Sequence, residues 1–110
     1  MSRQKLSKVA KSAFGEVIRA LRKKKKEPLR VVAAAIEVDS TLLSKIERGE
    51  RFPTDEQICR LASYFDIPFD ELKAQVIADK IVTEYGHEEV TLEAVKMVKE
   101  RATAYLKENK

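Results

Sequence analysis

Ser40, Thr41, Ser44 and Lys45 fall within one short segment and carry three hydroxyl groups and an ammonium. On a helix, residues three and four apart share a face, so Thr41, Ser44 and Lys45 would line one edge, with Ser40 beside them. That edge is slim, able to hydrogen-bond and free of acid. Its hydroxyls can donate or accept, the threonine methyl can touch a thymine methyl, and Lys45 can reach guanine O6 or N7. Arg48 and Arg51 follow at once, where a phosphate backbone would pass beside a groove. The chemistry implied is the reading of base edges without covalent change.

Catalysis finds no comparable grouping. Cys59 and His87 lie far apart in the chain, in segments with no oxyanion-type loop. The three glycines are scattered, so they form no phosphate cradle. Glu88 and Glu89 are consecutive and would point to different parts of a helix. His87 has no partners at ligand spacing and reads as part of the start of the last helix rather than as a metal ligand. Cys59 reads as a small core residue, not a redox sensor. No catalytic residue, metal or cofactor is expected.

The elements that would position the polar edge follow from periodicity. Phe14, Val17, Ile18 and Leu21 recur at helical spacing, predicting a helix from 12 or 13 to about 25. Leu6, Val9, Ala10 and Ala13 extend the pattern backwards. Pro28 can begin a second helix but cannot sit inside one, and Leu29 to Ile36 supplies it. Asp39 is a good N-cap for a third helix over 40–48, with Leu43, Ile46 and Leu42 turned inward and Gly49 as the stop. Thr54 and Gln57 have capping-box spacing ahead of a fourth helix whose inner stripe is Ile58, Leu61, Ala62 and Phe65. A fifth spans Phe69 to Tyr85, with Leu72, Val76, Ile77, Ile81 and Val82 inside. A sixth spans roughly 88–107, with a stripe of Leu92, Val95, Val98, Ala102 and Tyr105. No strand-like alternation occurs, so the fold expected is all-α.

Two short helices joined by a tight turn, the second capped by Asp39, make a helix-turn-helix. In that unit the second helix enters the DNA major groove. The stretch "LRVVAAAIEVDSTLLSKIERGERFPTDEQICRLASYFDIPFDEL" resembles the Xre-type, phage-repressor-like helix-turn-helix family. Ala33, the Leu43-Ser44-x-Ile46-Glu47-x-Gly49 run, Pro53 and Leu61-Ala62 carry the resemblance, which covers about residues 12–72. It implies a five-helix bundle, here with an additional C-terminal helix. It also implies base reading by Ser40, Thr41 and Lys45, phosphate contacts from Arg48, Arg51 and Thr54, and a structural ion pair between Arg22 and Glu47. Ser44 joins the readers by its place on the same edge. Arg30, close to the Lys23–Lys26 run, is a further candidate for phosphate. The family usually has glycine where this chain has Glu37 and Asp66, at turns with φ > 0; Asp tolerates that geometry better than Glu.

With 110 residues, 44% hydrophobic and 36% charged, the chain fits one folded domain. One cysteine permits no internal disulfide and suits a reducing compartment. No run is long and apolar enough to span a bilayer. Net charge is +4, unevenly spread: +9 over residues 1–30, −5 over 31–72 and zero over 73–110. A polyanionic partner on one side is the natural reading. Met1 to Phe14 is basic and acid-free, but its lysines and its apolar continuation into the first helix argue against a transit peptide.

Three segments are therefore expected: a basic arm (1–11) to wrap DNA, a DNA-binding domain (12–72) and a helical extension (73–110) that pairs two copies. The function expected is that of a cytoplasmic prokaryotic or phage transcriptional regulator. It would bind palindromic double-stranded DNA as a homodimer, with a polymerase contact or promoter occlusion as its mode of action. Restriction–modification controllers and antitoxin-type autorepressors share this size and plan. The alternative is a protein-interaction module on the same fold, which acid on the recognition edge would favour.

Overall fold

The computed structural model describes residues 3–109, with side chains from Ala13 onward. The side chains of Arg3, Lys5, Lys8 and Lys11, expected to hold DNA, lie outside the described residues. Six helices and, among the described residues, no strand make up the molecule: α1 (Arg3–Lys24), α2 (Leu29–Ala35), α3 (Ser40–Glu47), α4 (Asp55–Phe65), α5 (Phe69–Tyr85) and α6 (Val90–Glu108). The sixth begins at Val90, so His87 stands before the helix, exposed and 4.0 Å from a Glu88 oxygen.

Local chemistry sets the helix starts. The Leu42 amide donates to Asp39 Oδ1 at 2.7 Å, satisfying one of the amides that open α3. At α4 the Gln57 amide donates to Thr54 Oγ1 at 3.2 Å, and the Thr54 amide donates back to Gln57 Oε1 at 3.0 Å. Pro28 and Pro68 precede α2 and α5, with φ −65° and −58°.

The ends of α1, α2, α3 and α4 share one device. Lys26, Glu37, Gly49 and Asp66 lie in the left-handed region, with φ 58°, 62°, 76° and 57°. After each, the next amide turns back to a helix carbonyl: Glu27 to Arg22, Val38 to Ala33, Glu50 to Lys45 and Ile67 to Ala62, at 2.8–3.2 Å. This is the Schellman closure, for which glycine is the usual residue. Three of these four turns use a residue with a β carbon, each at a cost of ~1–2 kcal/mol.

Nine side chains are almost wholly buried: Ile18 from α1, Val32 and Ile36 from α2 and its end, Leu43 and Ile46 from α3, Ile58 and Leu61 from α4, and Leu72 and Val76 from α5. Helix α1 packs on α3 and α5, α2 on α3, and α4 on α5. Two expectations are corrected. Cys59 is exposed: the inward face of α4 is Ile58, Leu61 and Ala62, and each residue turns about 100° from the last. Ile77 is 46% exposed for the same reason, because the inward face of α5 runs Leu72, Val76, Asp79. Helix α6 buries no residue, so its apolar stripe does not fold back on the bundle.

Candidate nucleic-acid interface

Helix α3 presents one edge to solvent and buries Leu43, Ile46 and Glu47. Thr41, Lys45 and Arg51, with Asp39 and Leu42, line one shallow cleft of about 250 Å³. Thr41 and Arg51 are exposed and Lys45 is half-buried, consistent with a long side chain lying along the helix and ending free. Asp39, the one acid in the cleft, has one oxygen committed to the Leu42 amide.

Ser40 and Ser44 are half-buried and do not line this cleft. They share a helix face with Glu47, which points into the bundle, so they sit on the flank of the exposed edge. Arg48 is exposed at the end of α3; its Nε donates to the Ser44 carbonyl at 3.3 Å, and its Nη2 lies 3.5 Å from Glu50 Oε1. Arg30 is exposed on α2, away from the cleft. Thr54 is exposed; its hydroxyl oxygen caps α4, leaving its own proton available to an acceptor.

What holds α3 in place is a fork. Arg22 donates from Nε to Glu47 Oε2 at 2.8 Å and from Nη2 to Glu47 Oε1 at 2.9 Å. Its Nη1 donates to the Glu27 carbonyl at 3.1 Å, tying in the corner between α1 and α2. The side chains are 14% and 6% exposed, so loss of one partner would strand a charge at a cost of ~3–5 kcal/mol. Bonding to Glu47 holds the Arg22 guanidinium above its ordinary pKa, against the opposing effect of burial. At the same corner the Tyr64 hydroxyl donates to the Glu27 carboxylate, which pushes the phenol pKa up.

Three supports were not legible as such. Gly15 lies where a β carbon would sit 2.2 Å from the Glu47 carbonyl oxygen and 2.5 Å from that of Ile46. Backbone of α1 therefore rests directly on the end of α3; a glycine inside a helical pattern is the signal for such an approach. Arg60 donates to the Ile36 carbonyl at 3.2 Å and to Glu56 Oε2 at 2.9 Å, with Glu37 Oε1 at 3.7 Å. It clasps the turn before α3; only its i, i+4 spacing from Glu56 hinted at this. Asp79, an acid within an apolar stripe, is buried and accepts from the Phe14 amide at 2.8 Å. Burial pushes its carboxyl above the usual range, the Phe14 bond opposes this, and Glu16 adds a smaller upward push.

Among the described residues, no group of three or more His, Cys, Asp or Glu could hold a metal ion, and no helix is long and apolar enough to cross a membrane.

Comparison with known proteins agrees with this arrangement. Residues 13–75 match the family described as "Helix-turn-helix domain". Among solved structures, the restriction-modification controller protein C.AhdI from Aeromonas hydrophila is similar, with 30% identity and a TM-score of 0.51 over 63% of this chain and 97% of that one. A search of the curated proteins finds no match. The matched span contains the α1–α3 fork, the clasped turn and the cleft, and ends before α6.

Proposed function

This chain belongs to the helix-turn-helix domain family and is a DNA-binding transcriptional regulator; from that premise we propose that it reads a palindromic operator as a homodimer. The observation that carries the reading is the cleft in which Thr41, Lys45 and Arg51 stand together on the outer edge of α3. Thr41 and Lys45 read base edges, with Ser40 and Ser44 on the flank. Arg30, Arg48, Arg51 and Thr54 hold phosphates, and the Arg22–Glu47 fork sets the pose. Two recognition helices enter successive major grooves about 34 Å apart. Its similarity to a restriction-modification controller makes control of such a system, from within a prokaryotic or phage-infected cytoplasm, the role we assign. Regulation proceeds by promoter occlusion or by contact with polymerase.

The test is titration of Lys45→Ala and Arg51→Ala against selected operator and random DNA. Lys45→Ala relaxes discrimination by ~1–3 kcal/mol at its base pair. Arg51→Ala weakens all sequences alike. Uniform loss in both variants would remove the assignment of Lys45 as a reader, and no preference for any sequence at any salt would favour a protein-binding role for this face.

A further inference from the structure

Helix α6 has no buried residue in its own chain, yet Val90, Leu92, Val98, Tyr105 and Leu106 are 59–80% exposed along it. Soluble monomers rarely leave so many large apolar side chains of one helix uncovered. At the elbow with α5, Ile81, Tyr85, Val90, Ala94, Val95 and Val98 line an open apolar groove of about 360 Å³. The elbow is fixed by the Thr91 hydroxyl, which donates to the Tyr85 carbonyl. The groove occupies the first half of α6, while Tyr105 and Leu106 stand out from its second half.

We infer that the elbow groove is the seat for the second half of α6 from another copy, the two α6 helices lying antiparallel about a two-fold axis near residue 100. This deepens the homodimer reading above and rests on it. Thr91, Val95, Val98, Ala102 and Tyr105 recur at alternating four- and three-residue intervals, the spacing of a helix-pairing seam. In the antiparallel arrangement Tyr105 faces Val95 of the second copy, and Ala102 faces Val98. Groove and plug are present on every copy, so insertion is reciprocal and the contact closes on itself, as an isologous interface must. A parallel pair would instead set tyrosine against tyrosine and leave both grooves empty. Four basic and three acidic side chains on α6 keep its net charge small, so a second copy meets little repulsion and a polyanion finds little attraction.

The experiment is sedimentation of the full chain, with cross-linking in a Cys59→Ser background. The unaltered chain should sediment as a dimer at micromolar concentration. Tyr105→Glu should weaken self-association at least tenfold while the chain keeps its helical content and its binding to half-site DNA. Oxidation should link Val95→Cys/Tyr105→Cys double variants into dimers, with Tyr105→Cys alone failing to link. A monomeric unaltered chain, a Tyr105→Glu variant that stays dimeric, or efficient linking of Tyr105→Cys alone would each overturn the arrangement. Should Tyr105→Glu become monomeric while neither form prefers any DNA sequence, the pairing stands and the operator reading fails.

Discussion

Gly15 and Asp79 show how single residues of α1 and α5 govern the placement of α3 and the bundle around it. A β carbon at Gly15 would overlap the Glu47 and Ile46 carbonyl oxygens, so Gly15→Ala must push α1 and α3 apart. The expected cost is ~1–3 kcal/mol of stability, read in urea melts, with a larger proportional loss in specific than in random DNA binding if α3 is the reader, as proposed. Equal losses in both would show that the pose of α3 tolerates the shift. For Asp79 the pKa is raised above 3.8 in the folded state. The folded state then binds the proton more tightly than the unfolded chain, so stability falls as pH rises from about 3.8 through the folded value. Asp79→Asn keeps an acceptor for the Phe14 amide and removes the buried charge. It should match the original chain near pH 3 and gain on it as pH rises to 7, whereas Asp79→Ala strands the amide and loses ~1–3 kcal/mol at neutral pH. Melts of the three chains at pH 3 and 7 decide this; an Asn variant that is less stable at pH 7 would contradict the sign.

Glu37 is the clearest point at which an element departs from its easiest form. Its φ of 62° lies at the turn that aims α3, and Arg60 spans the Ile36 carbonyl, Glu56 and Glu37. Replacing Glu37 with glycine removes ~1–2 kcal/mol of left-handed strain. It also gives up an ion pair to a largely exposed carboxylate, worth ~1 kcal/mol at most. A net gain of ~0.5–1 kcal/mol is expected for Glu37→Gly, and a fall in melting temperature would mean that the clasp outweighs the strain. The helices themselves were readable because their starts are encoded locally: Asp39, Thr54 with Gln57, and the prolines each act within one turn. The left-handed turns at Glu37 and Asp66 were readable through the resemblance, but the one at Lys26 carries no local signal. Which of two adjacent apolar residues points inward was not readable either, as Ile77 shows, because a stripe fixes a face only to within a residue. Arg60 and Gly15 escaped because their partners are 24 and about 32 positions distant along the chain.

At the scale of the whole molecule, charge separates along the chain in a way that the fold turns to use. Residues 1–30 hold eleven of the 22 basic groups, and α1 delivers its last turn, with Arg22, to the flank of α3. The proposed recognition edge is modest in charge, so on that reading selectivity and affinity would fall to different parts of the surface. Affinity then depends on release of counterions, with log K falling by about 0.9 per neutralised phosphate for each unit of log salt. If Arg30, Arg48 and Arg51 are the charged phosphate contacts, as proposed, a dimer would make six such contacts, for a slope of roughly −5. Arg48 contributes least, since phosphate must displace Glu50 at 3.5 Å. On the proposed assignment, Arg51→Ala would remove two contacts from a dimer and should flatten the slope by about two, whereas Lys45→Ala should change it by less while altering preference. Titrations of operator DNA between about 50 and 200 mM salt measure both. A slope unchanged by loss of Arg51 would place that side chain off the phosphate path and shift the backbone contacts toward the basic end of α1.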